Sequence, residues 1–436
     1  MGKRPVYELF LYGISLCFLP KFFYKKVMQG KYKDSLSRRF GKQFPVIHKQ
    51  ERVLVWLHAG SVGETKAVAA LAKKIKDDPL RPLLLISSTT ETGHAEAKRS
   101  IPQADYHVYL PLDFRWVIEP IIRTTLPDLL ILTESDYWYN LLDCCRAVGT
   151  KTVAVNARIS ERSADRFKKL PKLAASLFSL IDNYCVQSTT YKERFLQLGI
   201  QKEKIHVTGN LKWDNPSSLL SEEQLATWRS HLQIQPGDQL LVVGSTHDPE
   251  EKIVLGILPK LLDEFPHLKV LFVPRHPERF QAVADLITQS DLSGGKKCPR
   301  FSAIETITKN SRVILVDAMG LLTKCYQVAD LAFVGGSYTP AVGGHNIIEP
   351  CPYGVPVLFG PYMHSQPELL QLVLEYGAGE QVAQDQLADT LRSYLSKPQK
   401  RREIGQKGKN LVEAMQGATL RTWEIIRPFL EPALTR

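Results

Sequence analysis

Val53-Leu54-Val55-Trp56-Leu57-His58-Ala59-Gly60-Ser61-Val62-Gly63-Glu64 is the stretch on which the fold turns. Its first six residues form a nearly continuous apolar run bounded by charge and glycine, the pattern of a strand buried on both faces. Gly63–Lys76 then takes helical spacing. The rhythm returns at Leu83–Ser87, Tyr106–Leu110, Leu129–Leu132, Thr152–Val155 and Asn183–Val186. It breaks over the polar stretch Leu211–Asp238, with Pro216, Pro236 and Gly237. It restarts at Leu240–Gly244, Val270–Pro274, Val313–Val316, Leu331–Gly335 and Val357–Phe359, and helical pattern closes the chain after Gln384. Short apolar strands alternating with helices predict parallel, doubly wound α/β sheets. The chain therefore reads as two Rossmann-like domains facing a cleft, residues 46–212 and 239–436, joined by a linker at 213–238 and preceded by a segment at 1–45.

Size agrees, since 436 residues exceed one ordinary core. A formal charge of +11 calls for an anionic partner: nucleic acid, an acidic lipid surface or phosphorylated substrates. The seven cysteines form no CxxC pair, which fits buried thiols in a reducing compartment. Val6–Tyr24 is apolar and aromatic, but Glu8, Pro20 and Lys21 interrupt it, short of the ~20 apolar residues a bilayer span needs. No small-residue cleavage site follows, so a secretory signal is poorly supported. Lys21, Lys25, Lys26, Lys31, Lys33, Arg38, Arg39 and Lys42 come next, against a lone Asp34. An apolar segment followed by a basic one predicts an interfacial anchor on an anionic leaflet, with a solvated basic helix face as the alternative.

Ligands of such sheets sit outside the carboxyl ends of the strands. Glu64, with Ser61 and Gly63, follows the first strand; it is either a general base or routine complementation of a helix dipole. The loop is not GxGxxG, which disfavours a dehydrogenase. Thr133-Glu134-Ser135-Asp136-Tyr137-Trp138-Tyr139-Asn140 follows the fourth strand, Asn156-Ala157-Arg158 the fifth, and Gly209-Asn210-Leu211-Lys212 ends the first half. In the second half the strand ends carry Gly244-Ser245-Thr246-His247, Pro274-Arg275-His276-Pro277-Glu278-Arg279, Asp317-Ala318-Met319-Gly320, Gly335-Gly336-Ser337, and Gly343-Gly344-His345-Asn346 through Glu349. An arginine at a strand end meets phosphate bidentately, and glycine pairs before a helix make a phosphate cradle. Glu349, one turn beyond Asn346, is placed to accept ribose hydroxyls. Together these predict a nucleotide-sugar donor site. The histidines have no second His or Cys at ligand spacing, and no DxD stands in a suitable loop, so metal-free chemistry without a cofactor is the expectation. No nucleic-acid module is present.

These motifs, in this order and over nearly the whole chain, resemble the 3-deoxy-D-manno-octulosonic acid (Kdo) transferases. The resemblance implies the GT-B architecture and an enzyme on the cytoplasmic face of the inner membrane. It also implies CMP-Kdo as donor and a lipid A precursor as acceptor, in lipopolysaccharide assembly. By resemblance Glu64 is the proton acceptor, and Glu134 and Lys212 stabilise the transition state. CMP contacts carry onto Pro274 and Arg275, onto Met319, Gly320 and Leu321, and onto Asn346, Ile347, Ile348 and Glu349; Ser61, Gly63, Arg158, Ser245, Gly344 and His345 complete the candidate contacts. Asp136-Tyr137-Trp138-Tyr139 stands where the family commonly reads Glu-Leu-Trp-Pro, and Leu321 where some members carry Glu. The competing readings are another GT-B enzyme using a UDP-sugar, transferase or epimerase, and a non-catalytic nucleotide- or lipid-binding membrane-surface protein.

Overall fold

The computed structural model describes residues 7–9, 11–13, 35–214, 219–292 and 295–431. Most of the basic run, Lys21 to Lys33, and most of the apolar segment before it lie outside them. No helix among the described residues is long and apolar enough to cross a membrane. The chain divides into two compact units, residues 1–215 with 415–436, and residues 216–414.

The first unit is built on seven parallel strands: β1 (Leu54–His58), β2 (Leu83–Ser88), β3 (Tyr106–Tyr109), β4 (Leu129–Thr133), β5 (Lys151–Ala157), β6 (Asn183–Val186) and β7 (Ile205–Val207). Their order is β3-β2-β1-β4-β5-β6-β7. All of β1 is buried, and alternate residues serve opposite layers. Leu54 and Trp56 pack with one set of helices, and Val55 and Leu57 with the other. Register places Leu57 beside Ile86 on one side and Ile131 on the other. Helix Val62–Lys76 begins at Ser61, whose side chain caps the Glu64 amide, and its apolar stripe of Ala67, Val68, Leu71, Ala72 and Ile75 seals one face.

The second unit has six parallel strands: β8 (Gln239–Thr246), β9 (Leu268–Pro274), β10 (Val313–Leu315), β11 (Leu331–Val334), β12 (Val357–Phe359) and β13 (Gly379–Gln381). Their order is β10-β9-β8-β11-β12-β13. In each sheet the direction of winding reverses once, between β1 and β4 in the first and between β8 and β11 in the second. That reversal opens the crevice where doubly wound sheets bind ligands.

The sequence reading differs from this at four places. Strands β7 and β13 carry no strand signal in the sequence, because both are three-residue edge strands without an apolar run. The segment read as a linker, 213–238, contains helix Glu222–His231, started by a Ser221–Gln224 capping box. Trp228 of that helix is buried against Phe301, with ring centroids 5.0 Å apart, so the helix belongs to the second unit. Residues 415–436 count with the first unit rather than the second. Helix Ala418–Ile426 brings Trp423 and Ile426 into the layer beneath β1, and Asp214 accepts hydrogen bonds from the Gly417 and Thr419 amides. Finally, no helix follows Gly344. Asn346–Pro350 is a run of turns into the single 3₁₀ turn Cys351–Tyr353, because Gly343 and Gly344 hold positive φ and Pro350 withholds an amide donor.

The six cysteines among the described residues, Cys144, Cys145, Cys185, Cys298, Cys325 and Cys351, are buried free thiols.

Candidate active site

At the reversal point of the first unit, the loop after β1 presents Glu64. Its Oε2 accepts the Gly60 amide at 2.8 Å and its Oε1 accepts the Ser61 hydroxyl at 2.8 Å. Burial raises the Glu64 pKa, opposed by the Ser61 hydrogen bond and reinforced by the Asp136 charge. A carboxylate held by two donors yet more basic than usual is the profile of a positioned proton acceptor. Ser61 is both helix cap and hydrogen-bond donor to Glu64. Gly63 is exposed, and a Cβ there would meet nothing.

Gly60 lets the loop approach its neighbours. A Cβ there would stand 2.5 Å from Asp136 Oδ2 and 3.4 Å from Glu64 Oε2. The contacts that brace this corner join the carboxyl ends of three strands. Asp136 Oδ2 lies 3.2 Å from His58 Nε2, and His58 Nδ1 lies 2.9 Å from Ser87 Oγ. His58 is fully buried, so its place is set by packing between β1 and β2.

Three motifs far apart in sequence meet on Glu134, which is 5% exposed. Arg158 Nε donates to its Oε2 at 2.8 Å, Lys212 Nζ lies 3.0 Å from its Oε1, and Asn156 Nδ2 donates at 3.4 Å. Asn156 in turn accepts the Leu211 amide through its Oδ1, which fixes the Asn210–Lys212 turn against β5. Glu134 and Asn156 both adopt left-handed backbone, φ 58° and 50°. Such strain, ~1–3 kcal/mol per residue, persists where surrounding structure enforces it, often at functional sites.

The second unit has its own cluster at the reversal between β8 and β11. Ser245 is buried with φ 54°, and the Arg275 amide donates to Thr246 across the end of β9. Arg275 and His276 are exposed at that strand end, while Pro274 is buried. His247 Nε2 lies 2.8 Å from His345 Nε2, and the His276 ring stands edge-on to His247 at 5.1 Å. Burial, with His247, Arg275 and His276 nearby, pushes the His345 pKa down to about 4. Burial raises the Glu349 carboxyl, against the Arg275 charge and an Asn346 hydrogen bond.

The glycine cradle needs correction. The amides of Gly336, Ser337 and Tyr338 donate to Glu250, at 2.7, 2.9 and 2.9 Å, and the His247 amide adds a fourth bond at 2.9 Å. Glu250 is fully buried, so the chain's own carboxylate fills the nest read as a phosphate site. The Gly344 amide is likewise committed, to Gly336 O. Gly343 and Gly344 serve close packing instead: a Cβ at either would stand within 2.5 Å of His364 Nε2 or Met363 Sδ. Ile347 and Ile348 are fully buried, which leaves their backbone as the part able to face a ligand. Asn346 Oδ1 accepts the Ile348 amide and shapes that turn. Met319 and Gly320 are exposed, Gly320 with φ 79°, on the turn after β10, and Leu321 leads into the next helix. No cluster of three or more His, Cys, Asp or Glu side chains able to hold a metal occurs among the described residues.

Comparison with known proteins identifies the family. Residues 34–215 match the family model described as 3-deoxy-D-manno-octulosonic-acid transferase (kdotransferase). A 3-deoxy-D-manno-octulosonic acid transferase of Chlamydophila psittaci is 35% identical over 435 residues, 98% of each chain. One of Haemophilus influenzae is 32% identical over 422 residues, 95% of each chain. The structure of a glycosyltransferase from Rickettsia africae aligns with TM-score 0.58 and 14% identity, over 87% of this chain and 99% of its own. UDP-GlcNAc 2-epimerase from Neisseria meningitidis, bound to UDP-GlcNAc, aligns with TM-score 0.59 and 13% identity, over 87% of this chain and 100% of its own. At these identities the structural likeness shows the fold alone, that of the GT-B enzymes.

Proposed function

The chain belongs to the 3-deoxy-D-manno-octulosonic acid transferase family, glycosyltransferases of lipopolysaccharide biosynthesis, and from that premise we propose that it transfers Kdo from CMP-Kdo to a lipid A precursor, lipid IVA, in one or more successive additions. Glu64 takes the proton of the attacking sugar hydroxyl. The glycosidic electron pair leaves with the CMP phosphate, and the anomeric centre inverts through an oxocarbenium-like state. Glu134 and Lys212 stabilise that state, with Arg158 holding Glu134 in place. Arg275, the turn 319–321 and the turn 346–349 receive the nucleotide.

The observation that carries this reading is Glu64. A partly buried carboxylate, oriented by Gly60 and Ser61 and made more basic by its surroundings, stands where the fold binds ligands. General base catalysis of this kind contributes ~10²–10⁴-fold. The reaction also accounts for the charge of +11, since Kdo, CMP and a phosphorylated lipid are all anionic. The apolar and basic stretch before residue 43 supports work at the cytoplasmic face of the inner membrane, on an anionic leaflet.

The test is to incubate the purified protein with CMP-Kdo and a tetraacyl lipid A precursor and weigh the products. Kdo-bearing lipid is expected from the wild type, and Glu64→Ala should fold yet lose turnover. Product from a UDP-sugar instead of CMP-Kdo would overturn the donor assignment. Full turnover in Glu64→Gln would overturn the role of the carboxylate. Vesicle binding that is unchanged on removing residues 1–42 would overturn the anchor.

A further inference from the structure

The imidazoles of His247 and His345 take no part in the transfer steps above, yet they are bonded to one another at the reversal point of the second sheet. Their Nε2 atoms are 2.8 Å apart, so one donates and the other accepts. A neutral pair satisfies that bond with one proton on each ring. The surroundings favour the neutral pair. Arg275, His276 and Arg279 face it from the end of β9, and His364 lies close by at Gly343. On the acidic side, the Glu250 carboxylate is engaged with four backbone amides, the Glu251 carboxylate with Arg279, and Glu349 sits in the field of Arg275. A further proton on the pair would add a cation to this cationic rim.

An arriving anion reverses the balance. We infer that His247 and His345 form a proton-gathering grip for the CMP phosphate: the neutral pair takes up one proton from solvent as the phosphate binds, and the resulting imidazolium holds it together with Arg275. The inference rests on the donor-site reading above and adds to it a residue, His247, and a coupling between nucleotide binding and pH. It matters for turnover because the phosphate gains a negative charge when the glycosidic bond breaks. A grip that charges with its ligand matches both the donor ester and the departing CMP. His247 is positioned for this by its amide bond to Glu250, and His345 by Gly336, where a Cβ would stand 2.8 Å from the His345 ring.

The experiment is calorimetric titration of CMP into the full-length protein at about pH 7.5, where free CMP is already a dianion, in two buffers of different ionisation enthalpy. Cytidine serves as the phosphate-free control. The wild type should take up close to one proton per CMP and none with cytidine, and its affinity for CMP should weaken as pH rises. His247→Asn and His345→Asn should each lower the uptake by half or more, weaken CMP by ~10-fold through loss of a charge-assisted bond, and flatten the pH dependence. Buffer-independent heats in the wild type, or undiminished uptake in both variants, overturn the inference while leaving the donor site standing. Absence of any CMP binding by the wild type overturns the donor-site reading and this inference with it.

Discussion

Replacing Asp136 by Asn should lower the pKa of Glu64, and the acid limb of the pH–rate profile should move with it. Burial is the first cause of the raised Glu64 pKa; among the charges that add to it, Asp136 leads. Asp136 Oδ2 and Glu64 Oε2 stand 2.5 and 3.4 Å from the point a Gly60 Cβ would occupy. Their separation is therefore at most about 6 Å, and at an effective dielectric of about 20 two charges at that distance interact by ~3 kcal/mol. The Asp136 side chain is 31% exposed, so solvent screening holds the effect on Glu64 well below that figure. The sign is fixed, because a neighbouring negative charge favours the protonated acid and its removal lets the base stay ionised to lower pH. Asparagine can still accept from His58, so the corner keeps its shape. The assay is kcat/KM for Kdo transfer from CMP-Kdo between about pH 4 and pH 8, for wild type and Asp136→Asn. An acid limb that stays in place or moves upward refutes the assignment of that limb to Glu64.

Three further outcomes are open to measurement. Lys212→Ala leaves Glu134 paired with Arg158, and the lysine side chain is 44% exposed; melting should change little while initial rates fall by ~10²-fold, as for loss of a transition-state contact. Glu250→Ala removes the acceptor of four backbone amides and should cost ~4 kcal/mol or more in urea unfolding, since each orphaned buried donor costs ~1–3 kcal/mol. Trp423→Ala should cost ~3–5 kcal/mol. Hydrogen exchange should show the loss in β1 and β5, whose side chains share its layer, and not in β8 or β9.

Much of the fold is legible along the chain because a parallel strand buried on both faces must be apolar throughout, and most of the eleven runs are of this kind, the partly buried edge strand β3 being an exception. Strands β7 and β13 escape this signal because they are short and carry polar residues, His206 in one and Gly379-Glu380-Gln381 in the other, which an edge strand paired on one side alone tolerates. The helix at Glu222–His231 is hidden by polar composition, since Trp228 alone of its residues is buried. Candidate residues such as Glu64, Glu134, Arg158 and Lys212 stand out by position after strands. Asp136 and His58 stand in the same motifs, but their contact with each other and with Ser87 is invisible until the sheet brings the three together.

Along the chain alone, the alternation of strand and helix already gives two parallel sheets with functional loops at their carboxyl ends. Apolar periodicity is a local property, written in consecutive residues. Tertiary structure alone decided that residues 156, 158 and 212 converge on the carboxylate of Glu134, and that Glu250 fills the glycine nest of the second sheet. It alone decided, too, that the last helix packs under β1. Those outcomes depend on strand order and on which buried donors find an acceptor, and neither quantity is carried by any single stretch of the chain.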